Sequence, residues 1–318
     1  MKLVTYNDQR LGLLVGDKVI DIKRALQRHD ALPEGATMIE LIENFPLIKA
    51  QLERLEAGAG DAVEITSISL LPPIMNPSKV ICTVDNYPSH AAEDATEIFP
   101  KPIFFLKPAN ALIGSGGTVV LPKEARRVDH ELELAVVIGK KCRGVPAREA
   151  LSYVFGYTIF LDMSARDFRT IPYSWFSMKG WDTFGPIGPA IVTSDEVGSP
   201  SALEMKLWVN GQLRMHGNTR DMIFDVAELI EAVSEVTTLL PGDVIATGTV
   251  EGVTPVFEGD VIIAEIQKLG KLEVSVVRSS HVDIWHTKDF PEHYAAYRER
   301  DTADKGPDVM APKKMEDL

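Results

Sequence analysis

Apolar and polar positions along the chain fall into patterns that assign most of its elements. Leu11, Leu13 and Val15 alternate before Gly16-Asp17, and Val19, Ile20 and Ile22 follow that pair. Period-two patterning around a turn signal predicts a β-hairpin or meander over residues 3–22. Met38, Ile39, Leu41, Ile42 and Phe45 recur at helical spacing, predicting a helix over residues 36–55 that Pro46 should break or kink. Leu71-Pro72-Pro73 and Asn76-Pro77 then punctuate the chain, marking a small N-terminal domain (1–75) off from a larger one (76–280). The larger part reads as mostly β. Short apolar runs at Leu134–Ile138, Tyr157–Leu161, Ile187–Val192, Leu203–Val209, Val244–Ala246 and Val261–Ile266 are separated by Gly, Pro and Asp. Helices are expected at 146–154 and 222–238, and no internal repeat is visible.

The remainder, 281–318, is a C-terminal extension. Its last 20 residues hold ten charged side chains and two prolines, the composition of a mobile tail. Trp285, Phe290 and Tyr294 before it are expected to anchor a strap on the chain's own surface.

Composition narrows the function. With 45% hydrophobic and 25% charged residues in 318, the chain is of ordinary globular type. Its formal net charge of −13 disfavours nucleic acid as a partner, so any anionic substrate must be held by local positive charge. Cys82 and Cys142 form neither a C-x-x-C pair nor a disulfide framework. The first eight residues lack the apolar core of a signal peptide, and no apolar run approaches membrane-spanning length. These features predict a cytoplasmic protein with no membrane partner.

Five stretches can carry chemistry. In His130-Glu131-Leu132-Glu133-Leu134, the two glutamates share one face of a strand that becomes apolar on both faces beyond them. Either they stand at a solvated rim, or they are buried and need a cation. Asp162 ends a second apolar run where a loop begins. With the glutamates it would form a hard oxygen site suited to Mg²⁺, Mn²⁺ or Ca²⁺; alone it reads as a turn or cap residue. His90 and Glu93 are spaced i, i+3 on a short helix expected after Asn86-Tyr87-Pro88, where the carboxylate would fix the imidazole tautomer and raise its basicity. The alternative is an exposed, capped helix face. Lys179 lies among aromatics, glycine and proline, either buried against an acid such as Asp182 or an anion, or snorkelling at the surface. Arg166 could supply a guanidinium near the metal or pair with Asp167. The Gly-rich segment at Thr247–Val253 could cradle a carboxylate or simply turn between strands.

In this order the motifs resemble the fumarylacetoacetate hydrolase family. The resemblance runs from about Val80 to about Leu272. It rests on Asn-Tyr-x-x-His-x-x-Glu at 86–93, Glu-Leu-Glu-Leu-Ala-Val-Val-Ile-Gly at 131–139 and Gly-Tyr-x-x-x-x-Asp-x-Ser-Ala-Arg-Asp at 156–167. Lys-Gly-Trp-Asp-Thr-Phe-Gly-Pro-Ile-Gly-Pro at 179–189 and Pro-Gly-Asp-Val-Ile-x-Thr-Gly-Thr at 241–249 complete it. Residues 130–143 are most similar to the acylpyruvase branch.

The resemblance implies an α+β, mainly β fold: a mixed β-sandwich or roll with a small N-terminal α+β domain, usually dimeric. It further implies a divalent metal on Glu131, Glu133 and Asp162, a water-activating dyad of His90 and Glu93, Lys179 beside the substrate, and Thr249 at its carboxylate end. The implied reaction is hydrolysis of a carbon–carbon bond in an acylpyruvate-like acid from aromatic catabolism. An isomerase or decarboxylase of a hydroxymuconate-type or oxaloacetate-like diacid is the alternative, and a non-catalytic binder of small acids is a third. Val84, Val250 and Arg169 stand where the family usually has glycine, proline and glutamine. Arg169 either pairs with an acid such as Asp167 or reads a second substrate carboxylate.

Overall fold

A computed structural model describes residues 1–22, 32–33, 35–58, 62–168 and 175–280. Arg169, Trp285, Phe290, Tyr294 and the C-terminal extension lie outside the described residues. The fold is α+β and mainly β.

Ten strands build the main sheet: β1 (Lys2–Tyr6), β2 (Arg10–Val15), β3 (Lys18–Asp21), β4 (Ala62–Glu64), β5 (Val80–Val84), β6 (Ile103–Lys107), β8 (Leu132–Ile138), β9 (Val154–Leu161), β10 (Gly185–Thr193) and β13 (Val244–Thr249). Their order is β4-β3-β2-β1-β10-β9-β8-β13-β5-β6, with the short pairs Leu70–Leu71 and Leu112–Ile113 attached to β1 and β10. All neighbours along this path are antiparallel except β13 and β5. A second sheet packs against it in the order β12 (Gln212–Asn218), β11 (Glu204–Val209), β14 (Val261–Ile266), β15 (Gly270–Arg278), β7 (Thr118–Leu121).

The core follows from side-chain alternation. Leu132, Leu134, Val136 and Ile138 of β8 face the second sheet, packing in one cluster with Leu207, Ile262 and Leu272. Ala135 and Val137 face the other way, into a cluster with Leu41, Ile42 and Leu52 of α1 (Met38–Ala57). β8 is therefore covered on both faces, as its continuous apolar run requires.

The N-terminal meander forms as expected, with Gly16 at φ 58° in its turn. It is not separated from the rest by a break in the sheet. β1 pairs with β10 through Lys2–Val192 and Leu3–Ile191, so hydrogen bonding continues across the boundary expected near residue 75.

Pro46 does not break α1, which runs through it to Ala57. A Thr37–Glu40 capping box secures the first turn, and Ile48 and Leu52, beyond the proline, are buried. Tertiary burial on both sides of Pro46 outweighs its missing amide. Two other helices are shorter than expected. The first is α3 (Ala147–Ala150), followed by a 3₁₀ turn, because Val154 already enters β9. The second is α4 (Val226–Val236), which starts only at its Asp225 cap.

Candidate active site

Strand direction gathers the candidate residues. β5, β9 and β13 end, and β8 begins, on the same side of the sheet, because β5 and β13 are parallel and β8 opposes both β9 and β13. Glu131 immediately precedes β8, Glu133 is its second residue, and Asp162 follows β9. Thr249 ends β13, in register with Glu133. α2 (Pro88–Glu93) follows β5 and brings His90 and Glu93 to the same side. A small cleft results, lined by His90, Glu131, Glu133, Arg166, Lys179 and Thr249 among others.

Glu131, Glu133 and Asp162 are buried at 4%, 1% and 1% exposure, so the solvated-rim alternative fails. Their carboxylate oxygens lie within 4.8 Å of one another. Lys179 Nζ donates to Glu131 Oε2 at 2.7 Å and to Asp162 Oδ2 at 2.5 Å. Arg166 donates through Nη2 to Glu131 Oε1 at 2.5 Å and through Nε to Asp129 Oδ2 at 2.9 Å. Burial opposes ionisation of Glu131, but Lys179 and Arg166 hold its carboxyl well below the usual range.

Glu133 is different. Its hydrogen bond comes from the Gly248 amide, at 2.7 Å to Oε2. Burial first, then the Asp162 and Glu131 charges, push its carboxyl well above the ordinary value. Beside it, the Thr249 hydroxyl is buried and finds no hydrogen-bond partner among the described residues. Three buried carboxylates, one raised by the other two, are a donor set that a hard divalent cation fits: Mg²⁺ or Mn²⁺ would neutralise the excess charge at Glu133.

His90 is 5% exposed, with Nδ1 3.4 Å from Glu93 Oε2. Burial disfavours its charged form, but Glu93, Glu131 and Asp94 outweigh this and raise its pKa above the ordinary 6.5. Glu93 is itself held by the amides of Gly252 at 3.2 Å and Val253 at 3.4 Å. Asn86 fixes the start of the segment, donating to the carbonyls of Thr247 at 2.8 Å and Phe224 at 3.0 Å.

Several sequence expectations need correction. Lys179 does not pair with Asp182, which accepts from Asn110 instead. Arg166 does not pair with Asp167; Asp167 accepts the amides of Arg126 and Arg127, while Arg166 turns to Asp129 and Glu131. Thr249 belongs to a strand, and the Gly248 amide faces Glu133 rather than a free cradle. Sequence reasoning missed Lys107, whose Nζ donates to Asp162 Oδ1 and, at 3.2 Å, to the Met163 carbonyl. Its signal was the one that singled out Asp162: a charge ending an apolar run, here Ile103–Lys107 before Pro108. It also missed the wall made by Phe105 and Trp175, stacked with centroids 5.5 Å apart.

Known proteins share this architecture. The maleylpyruvate hydrolase of Aquipseudomonas alcaligenes is 40% identical over 293 residues, 87% of this chain and 99% of its own. A crystal structure of maleylpyruvate hydrolase from Sphingobium sp. SYK-6 in complex with manganese (II) ion and pyruvate is 40% identical, with a TM-score of 0.76 over 88% of this chain and 100% of that one. A crystal structure of 5-carboxymethyl-2-hydroxymuconate delta-isomerase from Mycobacterium smegmatis is 35% identical, with a TM-score of 0.70 over the same shares. Residues 79–277, more than half of the chain, match the model of the fumarylacetoacetate (FAA) hydrolase C-terminal domain. With His90, Glu131, Glu133 and Lys179 lining one cleft within that span, and Glu93 and Asp162 paired to them from behind, the chain belongs to the fumarylacetoacetate hydrolase family.

Proposed function

We propose that this protein is a divalent-metal-dependent hydrolase that cleaves the C3–C4 bond of an acylpyruvate-like 2,4-dioxo acid, in the breakdown of aromatic compounds. The observation that carries this reading is His90, backed by Glu93, facing the same cleft as Glu131 and Glu133 of the buried carboxylate triad. Enolisation alone needs no water-activating base, whereas hydrolysis does.

Glu131, Glu133 and Asp162 would hold the ion. When bound, Mg²⁺ or Mn²⁺ supplies Lewis acidity and positive charge to the oxo-acid end of the substrate. Thr249 offers its unpartnered hydroxyl to that end. Glu93 accepts from His90 Nδ1–H, which leaves the Nε2 lone pair to take a proton from water. The water oxygen adds to C4, the adduct collapses, and the C3–C4 electron pair passes to C3 as the pyruvate enolate. The Lys179 ammonium lies beside that developing charge, and His90 returns the proton to C3. Phe105 and Trp175 offer an apolar wall to the acyl group.

The relatives support this class: one is a maleylpyruvate hydrolase, and another binds manganese and pyruvate, the product such cleavage releases. The likeness to a hydroxymuconate isomerase favours one second reading, isomerisation through the same enolate without attack of water. Incubation with a panel of acylpyruvates and hydroxymuconates, with Mn²⁺ or Mg²⁺, distinguishes the two. Release of pyruvate and a carboxylic acid in equal amounts is expected; isomerised product without pyruvate would favour the second reading.

A further inference from the structure

Asp85 directly follows β5 and adopts φ 47°, a left-handed conformation that aspartate tolerates better than most residues. It lines the cleft with His90 and Asp94. Asp85 Oδ1 lies 3.9 Å from His90 Nε2, and Asp94 Oδ2 lies 3.9 Å from the same nitrogen. The imidazole thus has Glu93 at Nδ1 and two carboxylates facing Nε2. A separation of 3.9 Å is too long for a direct hydrogen bond. It is the span across one water molecule that makes a hydrogen bond of ordinary length to each side.

Of the two acids, Asp85 is the more enclosed, its side chain 12% exposed against 30% for Asp94. We propose that Asp85 is a water-positioning residue: its carboxylate accepts one hydrogen of the attacking water while His90 Nε2 accepts the other. Both hydrogens are then engaged, and the water turns its lone pairs toward the substrate carbonyl carbon. When His90 takes its proton, the remaining O–H stays on Asp85 and the oxygen forms its bond to C4, so no further proton acceptor is needed. The motif that singles out His90 and Glu93 does not include this position; the left-handed turn supplies it. This inference rests on the hydrolase reading and deepens it.

Two variants separate positioning from structure. Asp85→Asn keeps an acceptor oxygen and tolerates the same backbone conformation. Asp85→Gly removes the acceptor and suits that conformation without strain. With Mn²⁺ and an acylpyruvate, Asp85→Gly is expected to lower kcat by about tenfold or more, the scale of a lost hydrogen bond to a charged group. Its KM and affinity for oxalate should stay within about twofold of wild type, and its melting temperature should not shift by more than about 2 °C. Asp85→Asn should keep kcat within about threefold. An Asp85→Gly variant with unchanged kcat overturns the assignment, and so does a loss of oxalate affinity and melting temperature alongside kcat, which marks a structural residue. Wild-type turnover, measured in parallel, separates the two levels. Its absence overturns the hydrolase reading and this inference with it, whereas wild-type hydrolysis beside an unaltered Asp85→Gly overturns only the role of Asp85.

Discussion

Asp162 is placed opposite Glu131 by backbone pairing. One step past the last ladder pair, Leu132–Leu161, the Asp162 amide donates to the Glu131 carbonyl at 2.9 Å. Lys179 Nζ closes the pair by donating to both carboxylates. The spacing of these two acids is thus set by strand register, the most rigid device the fold offers, rather than by a loop.

Exchanging any of the three carboxylates should cost the ion. Glu131→Gln, Glu133→Gln and Asp162→Asn are each expected to weaken Mn²⁺ binding by about tenfold or more and to abolish turnover. Titration calorimetry should also show that oxalate, a mimic of the pyruvate enolate, binds only with the metal present. Full activity in excess chelator would refute the metal requirement.

His90→Ala should reduce hydrolytic kcat by about 10²–10⁴-fold, the usual range of general-base catalysis. Manganese and oxalate affinities should remain near wild type. Because Glu93, Glu131 and Asp94 raise the His90 pKa, its basic form is lost as pH falls through a value above 6.5. The acid limb of the kcat profile is therefore expected above that value, and hydrolysis that survives unaltered in the His90→Ala protein excludes this role.

Lys107→Met should leave the buried Asp162 carboxylate short of one of its two lysines. Breaking a buried pair on one side costs about 3 kcal/mol or more. Urea unfolding should show that loss in metal-free protein and a smaller one in Mn²⁺, which would supply the missing charge. Equal losses in both states would mean that the ion does not approach Asp162.

Lys49 joins α1 to the segment after β10 through Asp195 Oδ2 at 2.6 Å. That bond, with one from Thr193, lowers the Asp195 pKa from 3.8 to about 2. A carboxylate depressed in the folded state adds stability that is complete above its unfolded value and fades as pH falls through the folded one. Asp195→Asn should therefore flatten the stability profile between 3.8 and about 2. The pair is largely exposed, so the effect should stay below about 1 kcal/mol, as measured by chemical unfolding across that range.

Much of the site was legible because its signals are local. Two-residue periodicity put Glu131 and Glu133 on one face, the i, i+3 spacing joined His90 to Glu93, and Asp162 betrayed itself by ending an apolar run. What stayed hidden depends on distant segments. Nothing near Lys179 says that its partners are residues 131 and 162 rather than Asp182, and Arg166 passes over its neighbour Asp167 for Asp129. At Pro46 local propensity argued for a break, while the burial that carries the helix through it is provided only by the folded sheet. The boundary near residue 75 is written in the prolines around it, while the continuity of the sheet depends on a pairing between strands some 190 positions apart.

That pairing has a consequence for the order of assembly. β1 pairs with β2 at once on one side, but on the other side Lys2 and Leu3 find their partners only among residues 185–193, so that half of its edge waits long for its neighbour. Contacts of such long sequence separation form late and slow the search for the native state. Until β10 arrives, Lys2 and Leu3 of the meander 2–21 are left on an open edge beyond the Leu70–Leu71 pairing, and in a fragment lacking the meander β10 would expose the complementary one. During synthesis this edge, more than any exposed apolar side chain, is where the chain is most open to pairing with another copy of itself.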